Sequence, residues 1–169
     1  MIAIRCTQKL LKRASVPATD TPLAPTSLLG NWYANILFSR PPLVLCISER
    51  TLLPVVVLAK DMPTLPGRLA VATYELLIAL GIPGEAADRE RSEMQETVLA
   101  RTDSKRVLGS LNDFMFHLEY SAQSSPEESL LERALYLGRI PCAPIKYSSP
   151  IEATQELFKV GGNRDFPIH

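Results

Sequence analysis

The chain has 169 residues, 46% of them hydrophobic, and carries 18 basic and 18 acidic side chains. That length suits one domain able to bury roughly two thirds of its unfolded surface. The balanced charge excludes a global field that would steer the molecule to nucleic acid or to an anionic membrane.

Ile2 to Cys6 reads as a short strand, and Thr7 offers an oxygen to cap a helix over Gln8 to Ala14. Residues 15–27, SVPATDTPLAPTS, hold three prolines among small polar residues and predict a loop. Asn31 to Lys60 is the densest apolar block. Its runs Trp32 to Phe38, Leu43 to Ile47 and Leu53 to Ala59 are divided by SRPP and SERT, which predicts an antiparallel meander of strands about 5 to 7 residues long. The second and third runs are apolar on both faces and call for cover on both sides. Pro54 cannot donate to a ladder, so the third strand either starts beyond it or runs along an edge there.

A helix is expected over Pro66 to Leu80, stopped at Gly81, and a more polar one over Gly84 to Met94 whose charges read as a solvated face. Glu96 to Arg101 lies between helix end and strand, with strand favoured. Lys105 to Ser121 predicts a longer helix capped by Ser104, with Val107, Leu111, Phe114 and Leu118 on one face. Ser125 and Glu128, with Pro126 between them, form a capping-box pattern for a helix running through Leu137 to Gly138. Pro150 to Val160 is the last predicted helix, stopping at Gly161. Strands early and helices late give an α+β fold, with a small antiparallel sheet of the N-terminal strand, the meander and a further strand near 96–101, under four to five helices. The expected organisation is a single domain over 1–160 and a flexible tail over 161–169.

The stretches IRCTQKLL at Ile4 to Leu11, GNWYAN at Gly30 to Asn35, TDSKRVLGSLNDFMFHLEY at Thr102 to Tyr120 and PCAPIKYSSPIEATQE at Pro141 to Glu156 carry a resemblance. They resemble a bacterial family of small proteins classed as a domain of unknown function, marked by IxCTxKLL-like, GxWxAN-like and LGSxND-like motifs. The resemblance implies no activity. Tyr33 stands where it leads one to expect a histidine.

Chemistry-bearing residues are few. Asn112 and Asp113 are poor residues for a helix interior, and Asp113 shares a face with His117 four positions on. The pair is a candidate metal or acid/base site, against the plainer reading of an i,i+4 contact. His169 is the only other histidine. Arg5, Lys9, Lys12, Arg13, Lys105 and Arg106 form a basic set that would touch phosphates if it converged. Cys6, Cys46 and Cys142 show no zinc spacing and no local activating base, so they read as reduced buried thiols rather than nucleophiles. Gly109 inside a helix suggests close approach of another backbone or a ligand.

With no complete catalytic constellation, no signal peptide and no apolar run near the 18 or so residues of a membrane span, the leading expectation is a non-catalytic cytoplasmic binding module. It would need no cofactor, would not engage a membrane, and would use a protein partner or a second copy to cover the meander. Its surface would gather Arg5, Trp32, Asn35, Arg106, Asn112 and Tyr147. The alternatives are a metal-assisted phosphate-ester hydrolase using Asp113 and His117, and a nucleic-acid-associated protein of a plasmid or defence system.

Overall fold

The computed structural model describes residues 1–15, 17–20 and 22–165, without the side chains of 162–165. Five strands are described: β1 (Ile2–Cys6), β2 (Trp32–Leu37), β3 (Leu43–Ser48), β4 (Pro54–Leu58) and β5 (Thr97–Arg101). The helices are α1 (Gln8–Ala14), α2 (Leu65–Ala79), α3 (Gly84–Glu93), α4 (Lys105–Ser124), α5 (Leu130–Gly138) and α6 (Pro150–Asp165). The α+β class, the meander and the strand over 97–101 are as the sequence predicts.

The sheet runs β4-β3-β2-β1-β5 and is mixed. β2, β3 and β4 pair antiparallel, whereas β1 is parallel to both β2 and β5. This corrects the expected antiparallel sheet. Residues 7–31 carry the chain back to the starting end of β1 before β2 begins, and α2 with α3 do the same before β5; parallel pairing needs such long crossovers. Pro54 opens β4 at the sheet edge, where its missing N–H interrupts no ladder. On the opposite edge, the Thr19 N–H donates to the Leu99 carbonyl at 2.7 Å, so part of the proline-rich loop borders β5.

Side chains alternate across the strands and build two cores. Ile2, Ile4, Trp32, Ala34, Val44 and Cys46 pack beneath α1, α2 and α3. Tyr33, Leu43, Leu45, Ile47 and Val56 meet Val107, Leu111, Phe114 and Leu118 of α4 and Leu137 of α5. The two-sided apolar β3 is therefore covered on both faces by this chain's own helices. The cover that the sequence reading sought from a partner is intramolecular.

Three local expectations need correction. α5 starts at Ser129, whose hydroxyl accepts the Glu132 N–H at 3.1 Å while the Glu132 carboxylate accepts the Ser129 N–H at 3.0 Å. The Ser125 pair is not the cap, because α4 runs on to Ser124 and Ser125 closes it, its carbonyl taken by the buried Arg133 guanidinium at 2.9 Å. Three SxxE patterns stand here, opened by Ser124, Ser125 and Ser129, and the one directly before the apolar turn Leu130–Leu131 wins. Ser129→Ala is accordingly expected to cost about 1 kcal/mol in urea unfolding, and Ser125→Ala no more than about 0.5 kcal/mol; the reverse ranking would return the cap to Ser125. α6 does not stop at Gly161 but continues to Asp165, so residues 161–165 are helix, while 166–169, His169 included, lie outside the described residues. Finally, the polar α3 is not wholly a solvated face, since Glu90 is buried.

Candidate functional site

The outward side of α4 holds what the core stripe leaves out. With Val107, Leu111, Phe114 and Leu118 turned to the sheet, Asn112, Phe116 and Tyr120 recur at i, i+4 and i+8 on the solvent side. Phe116 is 71% exposed and Tyr120 64% exposed. Beside this row, Lys105, Arg106, Gly109, Asp113, Phe116 and His117 form one wall of a groove of about 530 Å³. The other wall is Ile140 to Pro144. That wall belongs to a tight turn: the Cys142 N–H donates to the Ser148 carbonyl at 3.1 Å, and Lys146 and Tyr147 both take positive φ. Tyr147, 75% exposed, stands on the same turn.

Asp113 and His117 therefore do share a concave surface, while Asn112 faces solvent outside its lining. The His117 ring meets Phe116 edge-on, with centroids 5.9 Å apart and planes at 80°. Among the described residues no three His, Cys, Asp or Glu side chains gather closely enough to hold a metal ion. Cys142 lies half-buried in the groove and its thiol donates to the Ile140 carbonyl at 3.3 Å. Burial, and next the Asp113 charge, push that thiol up, the opposite of what a nucleophile needs. Cys6 and Cys46 are buried beside Ala34, and burial raises Cys6 to about 12. Gly109 has no atom within 4 Å of where a Cβ would stand, so it admits no neighbour from its own chain. The close approach of another backbone expected there is therefore not made.

The six residues expected to form one binding surface do not converge. Trp32 is fully buried on the sheet face opposite α4, and its Nε1 is the one described buried side-chain polar atom without a partner. Arg5 is a clamp at the end of the parallel strands, donating to the Arg101 carbonyl at 2.7 Å and pairing with Asp103 at 3.2 Å. Asp103 also accepts the Tyr33 hydroxyl, and burial followed by that carboxylate raises the phenol to about 12. The Asn35 side-chain oxygen accepts from the Thr7 hydroxyl at 2.7 Å and from the Ile36 N–H at 2.8 Å, tying the end of β1 to β2. Arg106, Asn112 and Tyr147 remain, all exposed, on α4 and the facing turn.

The basic set is likewise divided. Leu10 roots α1 in the core beneath one sheet face, so Lys9, Lys12 and Arg13 ride on that side, with Lys9 standing 5.1 Å over the Phe38 ring. Lys105 and Arg106 ride on α4, over the other face. Sequence reasoning missed Phe116 and Tyr120, whose signal was present: two aromatics four apart, off the buried stripe. It also missed Asp103, whose role depends on a strand pairing no local pattern reveals.

No helix among the described residues is long and apolar enough to cross a membrane. No curated protein and no solved structure matches the chain. A family model described as a domain of unknown function, DUF6933, matches residues 3–153, nearly the whole length over which the sheet, both cores and the groove are built, and the chain belongs to that family.

Proposed function

We propose that the protein is a non-catalytic binding module of the bacterial cytoplasm, whose working surface is the outer side of α4 together with the turn over 140–147. The observation that carries this reading is the solvent-facing pair Phe116 and Tyr120 on α4, with exposed Tyr147 on the turn that supplies the other wall of a groove containing an open glycine. Large aromatics in water are what recognition surfaces are enriched in, because they supply wide, rigid contact area at little entropic cost. Lys105 and Arg106 add two cations that have no carboxylate within ion-pair distance among the described residues. The unpaired, buried Cys6 and Cys46 suit a reducing compartment.

The test is a photo-reactive residue placed at Phe116 and, as a control, at the exposed Glu85 of α3, irradiated in the native host. Adducts should concentrate on one protein at position 116 and be lost when Tyr120→Ser is added, a change at an exposed site that should alter stability by no more than about 0.5 kcal/mol. Equal adduct patterns at the two positions would end the proposal. The hydrolase reading keeps one favourable observation, the shared groove of Asp113 and His117. It requires a further ligand, and elemental analysis of the purified protein with and without Asp113→Ala decides it.

A further inference from the structure

A second concavity lies away from α4. After β4 the chain turns through Lys60 and Asp61, the latter at φ 49°, and a short 3-10 turn over Met62–Thr64 into α2. Between the end of β4, α2 and the start of α5 runs a groove of about 590 Å³. Its body is aliphatic, made by Val55, Val57, Ala72, Leu76 and Ala134, with Val71 and Leu131 exposed on its rims. Such a volume with apolar walls and few polar groups is the usual form of a small-molecule site.

The two ends differ in charge. At the start of α2 the groove is lined by Lys60, Thr64, Gly67 and Arg68. Arg68 spends its donors on neutral oxygens: the Leu58 carbonyl at 2.7 Å, the Asp61 carbonyl at 3.2 Å, the Lys60 carbonyl and the Thr64 hydroxyl at 3.0 Å. The Lys60 ammonium has no partner among the described residues, and neighbouring Asp61 pairs with neither cation. Two positive charges thus stand unneutralised at the start of a 15-residue helix, the end at which its dipole is positive. Gly67, in the first turn, has open space where a Cβ would be. The far end holds Glu75, seven residues along the same helix.

We infer that this groove binds an alkyl carboxylate of medium chain length, its carboxylate against Lys60 and the first turn of α2 and its chain along Val57, Ala72 and Leu76. Charge selects the head group and its direction. An anion at the Glu75 end would be repelled, and a cationic head would meet Lys60 and Arg68. The apolar walls supply most of the binding, at roughly 25 cal/mol per Å² buried.

Calorimetric titration of the full chain with decanoate, decan-1-ol and decyltrimethylammonium, each below its micelle-forming concentration, tests this, with amide chemical shifts locating the ligand. Decanoate should bind about fivefold tighter than decanol, the worth of one exposed charge contact, and the cation weakest. Lys60→Glu should erase the preference while leaving decanol binding unchanged, and Val71→Glu, also at an exposed position, should abolish both. Equal binding of acid and alcohol with no effect of Lys60→Glu would overturn the inference, as would shifts that avoid residues 55–58 and 130–134. A dimer in ligand-free protein that Val71→Glu dissolves would instead assign the groove to a second copy.

Discussion

Trp32→Ala is expected to lower the unfolding free energy by about 3–5 kcal/mol, and the melting temperature by roughly 10 °C or more for a chain of this size. Trp32 is fully buried in the core beneath α1, α2 and α3, so truncation removes its transfer energy and leaves a cavity that a sheet packed on both faces cannot collapse. Trp32→Phe should cost about 2 kcal/mol or less. It keeps most of the ring and removes an indole N–H that has no acceptor, a group whose unsatisfied burial is itself unfavourable by about 1–3 kcal/mol. Urea unfolding followed by circular dichroism distinguishes the cases, since the substitution removes the chain's only tryptophan and its fluorescence. An alanine variant within 1 kcal/mol of the parent protein would put Trp32 back on the surface, where the sequence reading had it.

Glu90→Ala is the second large effect, expected at about 2–4 kcal/mol. The Glu90 carboxylate is buried in α3 and accepts the Leu29 N–H at 2.9 Å on one oxygen and the Leu28 N–H at 2.9 Å on the other. It therefore fixes the chain just before β2 to a helix some sixty residues later. Alanine would leave two donors facing an apolar space. Burial raises the Glu90 carboxyl above its ordinary 4.5, and the two backbone N–H groups oppose that rise without reversing it. A carboxyl easier to protonate folded than unfolded adds stability fully present below its unfolded value and lost as pH rises through its folded value. The penalty of Glu90→Gln should thus be larger near about pH 4 than near about pH 7.5. A penalty that grew with pH would mean that the hydrogen bonds outweigh burial.

The candidate site was partly legible. Asp113 and His117, paired by their i,i+4 spacing, and Arg106 and Tyr147, chosen by residue type, lie along one groove or its bordering turn. Trp32, Arg5 and Asn35 were singled out by the same reasoning and proved structural: a core indole, a strand-end clamp and a link between β1 and β2. Residue type cannot separate these fates, because an Arg or Trp favoured at interfaces is equally favoured wherever the fold needs a long donor or a large apolar filler.

What the sequence determined by itself is the set of elements and most of their ends: Thr7 and Ser104 capping their helices, Gly81 at φ 82° ending α2, and Pro54 marking an edge. These are signals carried within one turn or one strand, by side-chain hydrogen bonds, allowed φ and the period of apolar residues. Only the tertiary structure decided the direction of β1 and β5, which helix covers each sheet face, and the burial of Glu90. An alternating strand looks the same whether its neighbour runs with it or against it. The choice is made by crossovers and by which apolar face each helix finds, and those contacts join residues far apart in the chain.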